Sequence, residues 1–171
     1  MTGDSQFKES LSSNKTEILF VSLTILFLSL FVWRIMIFGS GFISSLFLFF
    51  FILFLFYSIN YRRLYIRFTS EVLMLRFGIF KWTVSFSNIE QINHDKTSLW
   101  RIGGAGIHFT MIKGRYRAYF NFLEYPRVVV TLKKRKGLVR EIAFSTQRST
   151  EIMSIIREIS AENGREISKL K

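Results

Sequence analysis

Two hydrophobic patterns divide the chain near residue 60. Residues 18–38 are apolar except at Ser22, Thr24, Ser29 and Arg34, and residues 42–59 carry no charge. A helix over the second run would be ~27 Å long, against a bilayer hydrocarbon core of about 30 Å. Only Gly39-Ser40-Gly41 separates the runs. The pattern predicts two helices that turn straight back on each other and cross a membrane as a hairpin. After Asn60 the solid runs give way to alternation. Leu64, Ile66 and Phe68 fall on one face, with Tyr65 and Arg67 on the other, the period of a half-buried strand.

The same signal predicts strands over 61–68, 72–77, 81–86, 89–94, 116–121, 127–133 and 138–145. Thr69-Ser70-Glu71 turns the first pair, and Lys133-Lys134-Arg135-Lys136-Gly137 turns the last. The Gly-rich stretch 95–113 reads as one long loop. Pro126 stands just before a strand, where its missing N–H does least harm. At the end, Ile152, Ile155, Ile156 and Ile159 follow the i, i+3, i+4, i+7 spacing of an amphipathic helix. Thr146, Ser149 and Glu151 supply its start signals and Gly164 its stop.

A small sheet has two open edges and one apolar face to cover. The expected fold is therefore α+β: a two-helix transmembrane hairpin, then a seven-stranded antiparallel half-barrel capped by a C-terminal helix. Its parts are a polar cytoplasmic leader (1–17), the hairpin (18–59), a cytoplasmic domain (60–162) and a polar tail (163–171). Asn14 and Glu17 have capping-box spacing. Ser22 and Ser29, with Gly41 and Ser45, are expected to pack the two helices together.

Charge orients the hairpin. The chain holds 24 Lys plus Arg and 12 Asp plus Glu; the first 59 residues hold three of each, so the entire +12 excess lies beyond them. Basic residues collect on the cytoplasmic side of spans, and Arg62, Arg63 and Arg67 follow the second run at once. This predicts a multi-pass cell-membrane protein with both termini cytoplasmic. Arg34 near the outer end can snorkel to the far interface. A cleaved signal peptide fits poorly, because the first run is too long and its leader has mixed charge. The absence of cysteine removes disulfides, thiolate chemistry and Cys-ligated metal.

Several phrases resemble the bacterial pleckstrin-homology (PH-like) domain family of small membrane-anchored proteins. They are Phe77-Gly78-Ile79-Phe80 followed by Trp82, Val84, Phe86, Ser87, Ile89 and Glu90; the glycine loop Trp100-Arg101-Ile102-Gly103-Gly104-Ala105-Gly106-Ile107; Ala118-Tyr119; and Phe144-Ser145-Thr146-Gln147-Arg148. The resemblance covers about residues 61–160. It implies a PH-like fold in a cytoplasmic, membrane-tethered module; it does not imply a catalytic activity, since fold analogy transfers function poorly. Lipid-binding PH domains use a basic first-to-second-strand loop. Here that turn is Thr69-Ser70-Glu71, which argues against phosphoinositide recognition of the familiar form.

No enzyme constellation stands out. His94 and Asp95 are adjacent and so point to opposite faces of a strand, and His108 lies alone in the loop; neither enzyme activity, nor a cofactor, nor a metal is expected. Gly103, Gly104 and Gly106 lack the Lys-Ser/Thr of a phosphate loop and read as a tight turn. Headgroup candidates are Lys133, Lys134, Arg135 and Lys136, with Arg62 and Arg63. The level of that run relative to the membrane stays open. A strand starting at the membrane brings the next-but-one turn back to it, so Ile79, Phe80, Lys81 and Trp82 are expected at the interface. Nucleic acid is not expected, because topology explains much of the positive charge. The leading expectation is a non-enzymatic anchored module that presents a basic domain to a protein or peptide partner and to anionic lipid. The alternative is an assembly subunit that joins a larger membrane complex through the hairpin.

Overall fold

The computed structural model describes residues 7–169. The chain opens with a strand, β1 (Phe7–Ser12), followed by helices α1 (Asn14–Phe38) and α2 (Phe42–Asn60). Strands β2 (Arg63–Phe68), β3 (Val72–Phe77) and β4 (Phe80–Ser85) come next. A 3₁₀ turn, Phe86–Asn88, leads into β5 (Ile89–Asp95). Then come a one-turn helix α3 (Leu99–Ile102), β6 (Gly106–Ile112), β7 (Arg115–Asn121), β8 (Arg127–Lys136), β9 (Val139–Ser145) and α4 (Ser149–Lys169). The strands form a four-stranded sheet, β1-β2-β3-β4, and a five-stranded sheet, β5-β8-β9-β7-β6. Every pairing is antiparallel except β7 with β9.

Among the described residues nine strands replace the seven expected, both additions lie where the pattern was thin, and the parallel β7–β9 pair departs from the all-antiparallel expectation. β1 sits inside the supposed leader and pairs with β2, Phe7 opposite Phe68 and Ser12 opposite Arg63. It was illegible because only Phe7 and Leu11 of its six residues are apolar, with Glu9 between them on the inward face. β6 occupies the expected loop; Gly103 and Gly104, both at positive φ, turn the chain just before it. The hairpin is thus an excursion between two hydrogen-bonded neighbours.

α1 and α2 are long and apolar enough to cross a membrane, with mean hydropathy of 2.3 and 2.5, and both are largely exposed. The cap of α1 is Ser13, whose hydroxyl accepts from the Thr16 N–H at 3.1 Å, rather than Asn14. The helices pack through aromatics. Phe27 stacks on Phe54 and meets Phe50, and Phe20 meets Tyr57 edge-on. Ser22, Ser29, Gly41 and Ser45 are exposed instead of lying in this seam. Phenylalanine is so abundant that large side chains fill much of the contact, while Ser44 of α2 is buried with its hydroxyl donating to the Gly39 carbonyl.

The two sheets close on one core. Leu64, Leu73, Leu75, Phe77, Phe122, Val130, Ile142 and Phe144 are fully buried there, and Ile152 and Ile156 of α4 complete it. Each such side chain contributes roughly 1.5–3 kcal/mol over its exposed state. α4 runs on through Gly164, the expected stop. β8 also outlasts expectation: the run Lys133 to Lys136 is strand, after a bulge beyond Thr131, and the turn shrinks to Gly137-Leu138.

Candidate functional site

Alternation places one side of the four-stranded sheet in the core and the other in solvent. The outward positions are Lys8, Ser10 and Ser12 on β1, Arg63, Tyr65 and Arg67 on β2, Val72, Met74 and Arg76 on β3, and Lys81, Thr83 and Ser85 on β4. Five are cations and none is a carboxylate. The register makes them neighbours: Ser10, Tyr65, Arg76 and Lys81 form one cross-strand row, and Lys8, Arg67, Met74 and Thr83 the next. The Arg76 guanidinium lies 5.1 Å from the centre of the Tyr65 ring. A shallow groove of about 500 Å³ runs between Lys8, Tyr65, Arg67, Met74 and Arg76. Among the described residues, the acid touching that groove is Glu9, whose carboxylate accepts from the Thr146 hydroxyl and the Gln147 N–H. Among the described residues Lys8, Arg63, Arg76 and Lys81 make no ion pair, while nearby Arg62 is paired with Glu17 at 2.8 Å.

This face stands directly on the end of α2. Asn60 accepts from the Ile79 N–H at 3.3 Å. A Cβ on Gly78 would lie 2.6 Å from the Asn60 carbonyl, and one on Gly106 would lie 2.8 Å from the Tyr61 ring. Both glycines also have positive φ. Burial, helped by Tyr57, pushes the Tyr61 hydroxyl up to about 12, against a hydrogen bond with the Ile107 backbone. At the other helix Leu123 N–H points at the Thr16 hydroxyl, and the Tyr125 hydroxyl donates to the Ser12 carbonyl at 2.7 Å. The joint has no flexible linker.

The outer face of the five-stranded sheet is different. Asp95 lies between Arg117 at 2.8 Å and Arg127 at 3.1 Å, and Glu141 meets Arg117 at 2.7 Å. Tyr119 and Thr97 complete the network. Burial opposes the Arg117 charge, but the Glu141 carboxylate outweighs it and holds the guanidinium pKa above its ordinary value. Ile102 of α3 covers Tyr119, Val129 and Ala143. His108 stacks on Tyr119 with centroids 5.1 Å apart; burial and nearby Arg127 push it down to about 4, so it is neutral near pH 7.

The expected site residues disperse. Ile79 and Phe80 do sit at the end of α2, with Phe80 6.1 Å from Phe56. Lys81 belongs to the cationic face. Trp82 turns inward against Phe120 and Phe109, its indole N–H buried without an acceptor. The basic run lies along β4: Lys133 donates to the Ser87 carbonyl and Lys136 to the Thr83 carbonyl, with Lys136 over the Trp82 ring. Lys134 and Arg135 remain exposed. In the glycine loop Gly104 accepts from Asn121 at 2.8 Å, and Trp100 is 97% exposed beside Arg101. Among the described residues no group of His, Asp and Glu is arranged to hold a metal. The cationic sheet face was missed. Its signal was cations at alternate positions, Arg63 and Arg67, repeated at Arg76 and Lys81.

Compared with known families, curated proteins and solved structures, the chain matches none.

Proposed function

We propose that this chain is a membrane-anchored, non-enzymatic binding module of PH-like type. α1 and α2 cross the cell membrane as a hairpin, and the sheet domain stands on the cytoplasmic leaflet. The cationic face of β1 to β4 is offered to an acidic segment of a protein partner, with anionic headgroups at its foot. The PH-like type rests on the resemblance of residues 61–160 alone; the strands form two sheets with β7 parallel to β9, where a seven-stranded antiparallel half-barrel was expected. The observation that carries the reading is four cations, Lys8, Arg63, Arg76 and Lys81, on one exposed sheet face, with no ion pair to another described residue, on a sheet tied to the end of α2 through Asn60 and Gly78. Exposed cations cost little to maintain in solvent, and a cluster without counter-charges gains most when an anionic surface arrives.

The test is the full chain carrying Arg63→Glu, Arg76→Glu and Lys81→Glu, cross-linked in its own membranes beside the parent. Expected is loss of the partner cross-links made by the parent, with membrane insertion intact. Equal recovery of the same partners would overturn the reading.

A second reading, an assembly subunit, is favoured by one feature. Ser22 and Ser29 are exposed on α1 and unused by α2, and small residues let a further helix approach. Photo-crosslinks from position 22 to another protein, and none from the sheet, would support it instead.

A further inference from the structure

A cavity of about 530 Å³ opens on the outer side of the five-stranded sheet, a size that takes a small molecule. Its polar walls come from separate parts of the chain. Asp95 ends β5, Lys96 and Thr97 follow it, Arg101 belongs to α3, Lys113 lies in the β6–β7 turn, and Arg117 rises from β7.

Four of these six residues are cations and one is a carboxylate. That carboxylate is fully engaged: Asp95 accepts from Arg117 at 2.8 Å, from Arg127 at 3.1 Å, and from the Thr97 N–H and hydroxyl at 3.2 and 2.6 Å. Arg117 is engaged in turn, by Asp95 and Glu141. Lys96, Arg101 and Lys113 are exposed and, among the described residues, make no ion pair. Three uncompensated positive charges therefore surround a floor whose charges are paired, and a cleft lined by one sign of charge concentrates its field.

The backbone at Lys113 is a second observation. Ile112 pairs with Arg115, so Lys113 and Gly114 alone turn β6 into β7. Their φ values are 50° and 75°, the two-residue turn that favours Asn-Gly or Gly-Gly. Lys113 is the one non-glycine at positive φ among the described residues, held there against backbone sterics. Turn stability alone would place Asn or Gly at this position; the lysine instead adds a cation to the cavity.

We propose that this cavity binds a phosphomonoester, with Lys96, Arg101 and Lys113 on its phosphate oxygens. A dianionic phosphate has three terminal oxygens for three donors from separate elements, and a guanidinium fork can take two of them. A single carboxylate would leave more of that charge uncompensated. The rest of the volume takes the organic part. The site lies on the other sheet from the cationic docking face and does not depend on the reading of α1 and α2 as spans.

The test is calorimetric titration of the full chain in uncharged maltoside micelles at fixed ionic strength. The probes are glycerol 3-phosphate, with glycerol as its neutral control, and dihexanoyl phosphatidic acid, with dihexanoyl phosphatidylcholine as its zwitterionic control. Expected is saturable binding of a phosphomonoester probe, at least about tenfold weaker in the double variant Lys96→Gln, Arg101→Gln and in Lys113→Gly. Glycine suits the φ at 113, so Lys113→Gly should keep the unfolding midpoint while losing the ligand. The double variant Arg63→Gln, Arg76→Gln on the other sheet should bind like the parent. Binding of glycerol 3-phosphate supports the site with a soluble metabolite as the source. Binding of phosphatidic acid alone, lost in the same variants, supports it with a lipid headgroup as the source. No saturable binding of either probe, or equal binding by the parent and Lys113→Gly, overturns the proposal. Weakening by Arg63→Gln, Arg76→Gln instead would put the phosphate on the other sheet and overturn it too.

Discussion

On the outer face of the five-stranded sheet, Arg117 and Arg127 are buried against Asp95 and Glu141; on the outer face of the four-stranded sheet, Lys8, Arg63, Arg76 and Lys81 meet no carboxylate among the described residues. Both faces carry cations at a period of two, but only the first also carries carboxylates, Asp95 and Glu141. The difference lies in the cover. α3 lies over the first and takes its charges out of water, where a cation survives only if paired. No described element lies over the second, and Lys8, Arg63, Arg76 and Lys81 stay exposed. A net charge of +12 therefore says little until it is divided into charge already spent on the fold and charge left free to attract a partner.

The sharpest break of this contrast is Asp95→Ala. It leaves Arg117 and Arg127 without their shared partner and should cost about 3–5 kcal/mol, read as a fall in the unfolding midpoint of the purified chain. A loss under 1 kcal/mol would mean that water reaches the network and that the two faces are alike.

Next in size is Gly78→Ala, at the joint that carries the cationic face. The added methyl meets the Asn60 backbone at positive φ, and relief should cost about 1–3 kcal/mol. A variant as stable as the parent, with its tryptic pattern unchanged, would show that domain and helices are joined more loosely.

A smaller effect concerns acid. The His108 pKa in the fold is about 4, below the ordinary 6.5, so the unfolded chain binds its proton first. Stability on this account is full above about pH 6.5 and declines as pH falls toward 4. His108→Phe keeps the stack on Tyr119 and should narrow the gap between midpoints at pH 7 and pH 4.5. An unchanged gap would place the acid sensitivity elsewhere, in the carboxylates of the network.

The least costly change to the fold is on the open face. Arg63→Glu and Lys81→Glu should each shift stability by no more than about 0.5 kcal/mol. Comparable substitution of Arg117 should unfold the domain. If the two faces responded equally, the division between spent and available charge would be wrong.

Much was legible in the chain itself. The two apolar helices follow from runs that no other element tolerates, and Val72–Phe77 was read to the residue because its neighbours turn sharply. α4 declared itself through four isoleucines at helical spacing. The failures share a cause. β1 has two apolar residues in six, and β6 follows a run of glycines, so neither carries enough local signal. The packing of α1 on α2 was assigned to serine and glycine because small residues favour close approach, yet aromatic stacking filled the seam.

The sequence by itself determined where the chain is apolar enough for lipid, where it alternates, and that its excess charge lies beyond the hairpin. These are properties of neighbours along the chain. Only the tertiary structure decided which arginines are neutralised, that the hairpin springs from between paired strands, and that Trp82 of β4 meets Phe109 of β6. Each of those depends on residues far apart in sequence, such as Asp95 with Arg117, Phe7 with Phe68 and Trp82 with Phe109. A pairing of that kind has no local period from which it could be read.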